Sequence, residues 1–353
     1  MQVKPFTYNA NPAHILFGPG SRSALAQEVR RLGCRRALVL STPGQRASAE
    51  HLLRELGKLG AGVFTEAAMH TPVSVTEQAL MVFAGINADC VIAVGGGSAI
   101  GLGKAIAYRN GAPQIAIPTT YAGSEVTPIL GQTEHGLKTT LRQDSILPNM
   151  VIYDSELTLQ LPVAVTVSSG LNAMAHAVEA LYARDRNPIT SLMALEGLRS
   201  LKAALPAIVH QPRNVDARNN ALYGAWLCGT VLGTVGMALH HKLCHTLGGS
   251  FGLPHAETHA ILLPHTASYN SEAAADVLAP AADVFGGNLA LGLQDFARSL
   301  GAPTALKTLG LAKSDLKRAA SLAVQNPYWN PRPLDADALL ALLERAWDGS
   351  RPQ

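Results

Sequence analysis

Three things are missing from this 353-residue chain: a run of basic residues, a Cys-x-x-Cys pair, and an N-terminal charged segment leading into an apolar stretch. Each absence removes a class of function. With 28 Lys and Arg against 25 Asp and Glu, both signs scattered, there is no stripe able to neutralise a nucleic-acid backbone, so a small molecule is the expected partner. The four cysteines, Cys34, Cys90, Cys228 and Cys244, lie far apart, which favours reduced, buried thiols over disulfides or a zinc ribbon. The opening MQVKPFTYNANPAH is unlike a secretory signal and points to the cytoplasm. One stretch, 221–239, has nineteen residues without a charge, but four glycines and two threonines dilute it and no second span accompanies it. No membrane is expected. The segment reads as one helix buried on all sides that delivers His240 and His241 to the interior.

At this length two domains are expected. From Arg36 to Asp154, short aliphatic runs (ALVLS at 37–41, GVF at 62–64, CVIAV at 90–94, QIAIP at 114–118, MVIYD at 150–154) alternate with helical patterns, which implies a parallel sheet covered on both faces. After Leu161-Pro162 apolar residues recur only at helical spacing. The chain therefore reads as an α/β dinucleotide-binding domain over 1–160 and an all-α substrate and catalytic domain over 161–353, with the default site in the cleft between them.

In the first half, VIAVGGGSAIGLGK runs from a buried strand through Gly95, Gly96 and Gly97 into a helix starting near Ser98, a turn that lets backbone amides approach a pyrophosphate. Neither common phosphate-loop pattern fits, because Ile100 and Ser98 stand where glycines are needed. The next strand ends in Thr119, Thr120, Tyr121 and Ser124, hydroxyls at a strand's carboxyl end where open α/β sheets bind ligands. After the first of the five strands comes Thr42, uncharged where an acidic residue often receives the ribose, so NADH and also NADPH are the expected cofactors.

In the second half, six of the twelve histidines fall between His240 and His265, and Asn172 and His176 stand four apart on one helix. Imidazoles so spaced outline a metal pocket. Where that pocket should supply a carboxylate it holds the amide of Asn172, and the charge to balance a cation is missing. His176, His241, His245 and His255 are read as pocket residues, and His210, His259 and His265 as hydrogen-bonded core.

Four ordered blocks, GGGSAIGLGK, PTTYAGSEVTPI, GLNAMAHAVEALY and HHKLCHTLGGSFGLPHAETHA, together resemble the iron-containing (group III) alcohol dehydrogenase superfamily, and within it the maleylacetate reductases. The resemblance implies a dehydroquinate synthase-like architecture, a Rossmann-like domain followed by a helical one, and a homodimer. In the metal-dependent members an Asp is followed four residues later by His, and two more histidines stand fourteen apart; the matching positions here are Asn172, His176, His241 and His255. Gly101 stands where the alcohol dehydrogenases carry Asp. Both departures follow the maleylacetate reductase pattern, so the resemblance implies that no metal is bound and that the four ligand positions are vestigial.

The implied reaction is NAD(P)H-dependent reduction of the carbon–carbon double bond of maleylacetate to 3-oxoadipate in the breakdown of aromatic compounds. On this reading His241, His245, His255, His176 and Asn172 are catalytic, holding developing enolate charge by aimed dipoles. Tyr121, Lys242, Tyr328 and Arg332 are candidates for the two substrate carboxylates, and Lys138 for the nicotinamide ribose. The competing readings are a metal-dependent alcohol or aldehyde dehydrogenase, a dehydroquinate synthase-like lyase, and a non-catalytic nucleotide sensor.

Overall fold

The computed structural model describes residues 6–8, 10, 14–134 and 137–353, the Lys138 side chain excepted. The first unit alternates β1 (His14–Phe17), α1 (Leu25–Arg31), β2 (Ala37–Leu40), α2 (Arg46–Leu56), β3 (Gly60–Phe64), α3 (Val73–Gly85), β4 (Cys90–Gly95), α4 (Gly97–Asn110) and β5 (Gln114–Pro118). A hairpin follows, β6 (Ile129–Glu134) with β7 (Leu137–Arg142), then β8 (Met150–Tyr153). Six strands form a parallel sheet in the order β1-β8-β5-β4-β2-β3. The period of two explains why its strands are apolar throughout: Ala37, Val39, Ile92 and Val94 pack on one face, while Leu38, Leu40 and Val91 pack on the other.

The five strand runs read from the sequence are all present. The short edge strand β1 and the β6/β7 hairpin were not foreseen, the hairpin because pairs such as Gln132–Thr139 and Thr133–Lys138 are polar. Lys104 ties the turn ahead of that hairpin to α4: its buried ammonium donates to Ser124 O (2.5 Å), Thr127 Oγ1 (2.9 Å) and Ile129 O (2.9 Å).

The second unit is built from helices α5 (Val163–Tyr182), α6 (Pro188–His210), α7 (Val215–Thr234), α8 (Leu239–Phe251), α9 (His255–Asn270), α10 (Ala275–Val284), α11 (Leu289–Ser299), α12 (Leu316–Ala323) and α13 (Ala336–Asp348). No strand occurs among the described residues after Tyr153. Asn187 starts α6 through a capping box with Thr190, and Pro188 follows at the first helical position. Leu239, Leu243 and Leu247 of α8 pack with Ile261 and Leu262 of α9 and with Leu316, Leu339 and Leu343 of the last two helices. Gly170 lets α5 lie against α6, since a Cβ there would stand 2.8 Å from Leu205.

The chain divides into Ala10–Leu161 with Arg213–Leu222, and Pro162–Pro212 with Tyr223–Gln353. The 213–222 segment, expected in the helical domain, thus belongs with the sheet. The reason is Arg218, fully buried, whose guanidinium donates to Leu161 O (3.0 Å) and Tyr121 Oη (3.3 Å).

The 221–239 stretch is also corrected: α7 ends at Thr234, and α8 leaves it at 93°. Among the described residues no single helix is long and apolar enough to cross a membrane. His210, expected in the core, is the exposed last residue of α6.

His265 is buried as expected, but neither ring nitrogen has a hydrogen-bond partner. Burial, with Arg345 adding to it, pushes its pKa down from 6.5 to about 4. Because the folded value is the lower one, the unfolded chain binds the extra proton first, and stability is lost as pH falls from 6.5 toward 4. The shift corresponds to about 3 kcal/mol. His265→Leu is expected to remove that part of the acid lability in urea unfolding between pH 6.5 and 4; parallel pH profiles for variant and wild type would contradict it.

Candidate active site

At the end of β4 the backbone turns through Gly95 (φ +146°) into α4, whose N-cap residue, Gly96, has no side chain to cap its first amides. The glycines are needed for close approach: a Cβ on Gly95 would lie 2.6 Å from Gln45 Oε1, and one on Gly96 would lie 3.0 Å from the Thr120 side chain. Gln45 Nε2 donates to Thr119 Oγ1 at 2.7 Å. The structure therefore gathers Gly95, Gly96, Gly97, Ser98, Thr119 and Thr120 around one helix N-terminus, an anion-binding geometry. Gln45 was missed; a glutamine after Thr42-Pro43-Gly44 carries no motif, though Thr42 does open the short 3-10 turn that places it.

Other sequence candidates fall elsewhere. Ser124 is engaged by Lys104 through its carbonyl and, at 3.4 Å, its hydroxyl. Tyr121 is buried with its hydroxyl on Arg218. Lys138 pairs through its backbone with Thr133, and its side chain lies outside the described residues. At Gly101 an added Cβ would collide with Thr71 Oγ1, so the space beside this residue is filled.

In the helical unit α5 is buried from Thr166 to Tyr182, and Asn172, His176 and Glu179 repeat at four- and three-residue intervals along one face. The first turn of α8 supplies His240 and His241, and α9 begins with His255. The carboxylate of Glu179 joins these elements. Its Oε2 accepts from the Ala238 amide (2.9 Å) and from His241 Nδ1 (2.6 Å), and its Oε1 accepts from the His240 amide (2.7 Å). An acid at a helix N-terminus satisfies amides that the helix itself cannot pair.

Because an ionised carboxylate only accepts, His241 carries its proton on Nδ1 and turns the Nε2 lone pair toward His176 Nδ1, 2.9 Å away. Beside them the Asn172 oxygen is buried with no donor.

This geometry corrects the expectation that no metal is bound. An oxyanion needs donors, whereas Asn172 Oδ1 has none and the His241 Nε2 lone pair meets only an exchangeable ring proton on His176 Nδ1, a place that a cation can take. Nor is the balancing charge missing: it stands behind His241 as Glu179, an arrangement that orients and strengthens an imidazole ligand. Asn172, His176 and His241 offer the oxygen and nitrogen donors that a divalent transition metal takes, and His255 stands at the exposed end of the same cluster.

The cage is graded outward from buried Asn172, His176 and His241, through half-buried His245, to exposed His255. The His245 and His255 rings lie parallel, 6.5 Å apart. His245 Nδ1 meets Tyr328 Oη at 3.1 Å, and Lys242 Nζ lies 5.8 Å from the Tyr328 ring centre. Burial, with Glu179 second, raises the Tyr328 phenol and keeps its proton in place.

Asn330 fixes the segment bearing Tyr328 by reciprocal amide bonds with Asn270 (2.7 and 3.0 Å). Lys242 and Tyr328 thus join the histidines. Arg332 does not: it stacks 4.1 Å over Tyr269 and donates to that residue's carbonyl. His259, expected as core, is buried but takes part in the cluster, its ring centre 4.3 Å from that of His255.

Comparison with known proteins shows the family. The family model described as iron-containing alcohol dehydrogenase matches residues 12–155, and that described as the Fe-containing alcohol dehydrogenase family, C-terminal, matches 166–347. The iron in both descriptions stands against the metal-free expectation. The chain is 62% identical to a maleylacetate reductase of Rhizobium sp. (strain MTP-10005), over 99% of this chain and 100% of the relative. It is 52% identical to one from Burkholderia cepacia, with coverage of 99% and 100%. A solved maleylacetate reductase from Agrobacterium tumefaciens superimposes with a TM-score of 0.97 at 63% identity, covering 99% of this chain and 100% of that one.

Two substitutions test the donor set in anaerobic Fe2+ titrations. Glu179→Gln, which keeps the shape but removes the charge behind His241, is expected to weaken binding about 10- to 100-fold. Asn172→Asp is expected to tighten it by adding a charged ligand. Equal affinities in wild type and both variants would show that the ion sits elsewhere.

Proposed function

The chain belongs to the iron-containing alcohol dehydrogenase family and is an oxidoreductase, and we propose that it reduces the carbon–carbon double bond of maleylacetate to give 3-oxoadipate, using NADH or NADPH. The observation that carries this reading is likeness over the full length to proteins named for that reaction. We take the working form to be a homodimer acting in aromatic breakdown, as the resemblance implies, and its compartment to be the cytoplasm.

When bound, the reduced nicotinamide supplies the hydride, and a divalent cation held by Asn172, His176, His241 and His255 supplies a Lewis acid for an oxygen of the substrate. The glycine turn before α4 is the place for the dinucleotide's pyrophosphate, where uncapped amides meet its charge.

Maleylacetate carries a ketone conjugated to its alkene. Hydride addition at the alkene carbon farther from the ketone pushes the electron pair onto the ketone oxygen, and a proton on the adjacent carbon then completes the reduction. His245 is placed for that proton: it is half-buried at the rim and hydrogen-bonded to a phenol that stays protonated. Lys242, beside the same phenol, is the nearby cation for a substrate carboxylate. Glu179 acts through His241 and is a positioning residue.

The test is steady consumption of NADH with maleylacetate, which a dehydroquinate synthase-like lyase would not show because it returns its hydride. His245→Ala is expected to lower kcat about 10²- to 10⁴-fold while NADH affinity, read by fluorescence titration, is little changed. Loss of NADH binding with turnover retained would contradict the role given to His245.

A further inference from the structure

The inner side of the histidine cluster carries a second set of donors outside the family's four metal positions. His240, Cys244 and His259 are each no more than 1% exposed, and one ligand atom from each lies within 4.8 Å of the others. Their order follows from helix geometry. His240 and Cys244 are four apart on α8 and share a face, and His259 is one turn into α9, against which α8 packs.

The hydrogen bonds set the protonation of the group. Thr266 has one hydroxyl proton, and it serves the α9 carbonyls of Leu262 or Leu263 (3.1 and 3.2 Å), so Thr266 Oγ1 accepts from His240 Nδ1 at 2.9 Å. That leaves the His240 Nε2 lone pair facing two protons, those of His259 Nδ1 at 2.9 Å and of the Cys244 thiol at 3.6 Å. The other nitrogen of His259, Nε2, is buried without a partner.

We infer that His240 Nε2, His259 Nδ1 and Cys244 Sγ form a binding site for a thiophilic cation, Zn2+ or Cu+, separate from the positions that the family uses for its metal. Nitrogen and sulfur ligands on a tetrahedral zinc ion lie about 3.3 Å (N–N) and about 3.6 Å (N–S) apart. The distance from Cys244 Sγ to His240 Nε2 already matches, and the nitrogen pair needs to open by a few tenths of an ångström with both rings turning so that their lone pairs converge. A thiolate with two imidazoles selects soft and borderline ions over hard ones. On binding, Cys244 gives its proton to solvent and the proton of His259 moves from Nδ1 to Nε2, so that all three donors turn lone pairs to the ion. His240 keeps its own proton on Nδ1, fixed by Thr266, the kind of outer partner that orients a metal-bound imidazole.

The test uses the full-length protein, stripped with a chelator and loaded with one equivalent of Zn2+. Zinc-edge X-ray absorption of the wild type is expected to show one sulfur neighbour at about 2.3 Å among nitrogen neighbours; a shell of nitrogen and oxygen alone would overturn the proposal. Loaded instead with Co2+, the wild type is expected to show a thiolate-to-cobalt charge-transfer band that is absent in Cys244→Ser and retained in Asn172→Ala. A band lost in Asn172→Ala and kept in Cys244→Ser would also overturn it. The X-ray measurement needs no variant and stands even where Cys244→Ser fails to fold.

Discussion

The buried carboxylate of Glu179 is the contact on which the helical unit's chemistry depends. Its two oxygens hold the Ala238 and His240 amides and the ring proton of His241, so one side chain fixes where α8 begins, how it is set against α5, and which nitrogen of His241 is offered to a ligand. A charge buried there is tolerable because polar donors surround it. Once it is in place, the neighbouring groups fall into a consistent pattern of lone pairs, His241 Nε2 and Asn172 Oδ1 among them. Such a pattern suits a cation, with the compensating negative charge one residue removed from direct contact.

Much of this was legible in the sequence. The sheet was visible because strands buried on both faces are continuous aliphatic runs, and the histidine pocket because the spacings of Asn172 with His176, and of His241 with His245 and His255, are those of helix faces and turns. The hairpin of β6 and β7 was not, since half of its paired residues are threonine, glutamine, lysine or glutamate, and the apolar ones, Ile129, Leu130, Leu137 and Leu141, do not alternate.

Asn172 was read as a carboxylate lost, and the metal as lost with it, but the carboxylate that counts stands seven residues further along the same helix face, at Glu179. In the run AHAVEALY that glutamate looks like an ordinary polar helix residue. Only the fold shows that α5 is buried all round from Thr166 onward and that the N-terminus of α8 closes over Glu179. Gln45 is the parallel case in the α/β unit, given its role by contact with Gly95 and Thr119. His259 was underread for the same reason: a residue in contact with nothing suggestive in the sequence sits in the structure between His240 and His255.

Glu179 sets the tautomer of His241 and so turns the cage toward a cation. Neutron diffraction from deuterium-exchanged crystals of the metal-free protein reads this directly. A deuteron on His241 Nδ1, in line with Glu179 Oε2, and none on Nε2 is the predicted result. A deuteron on Nε2 with Nδ1 bare, or one residing on the Glu179 carboxyl, would contradict it.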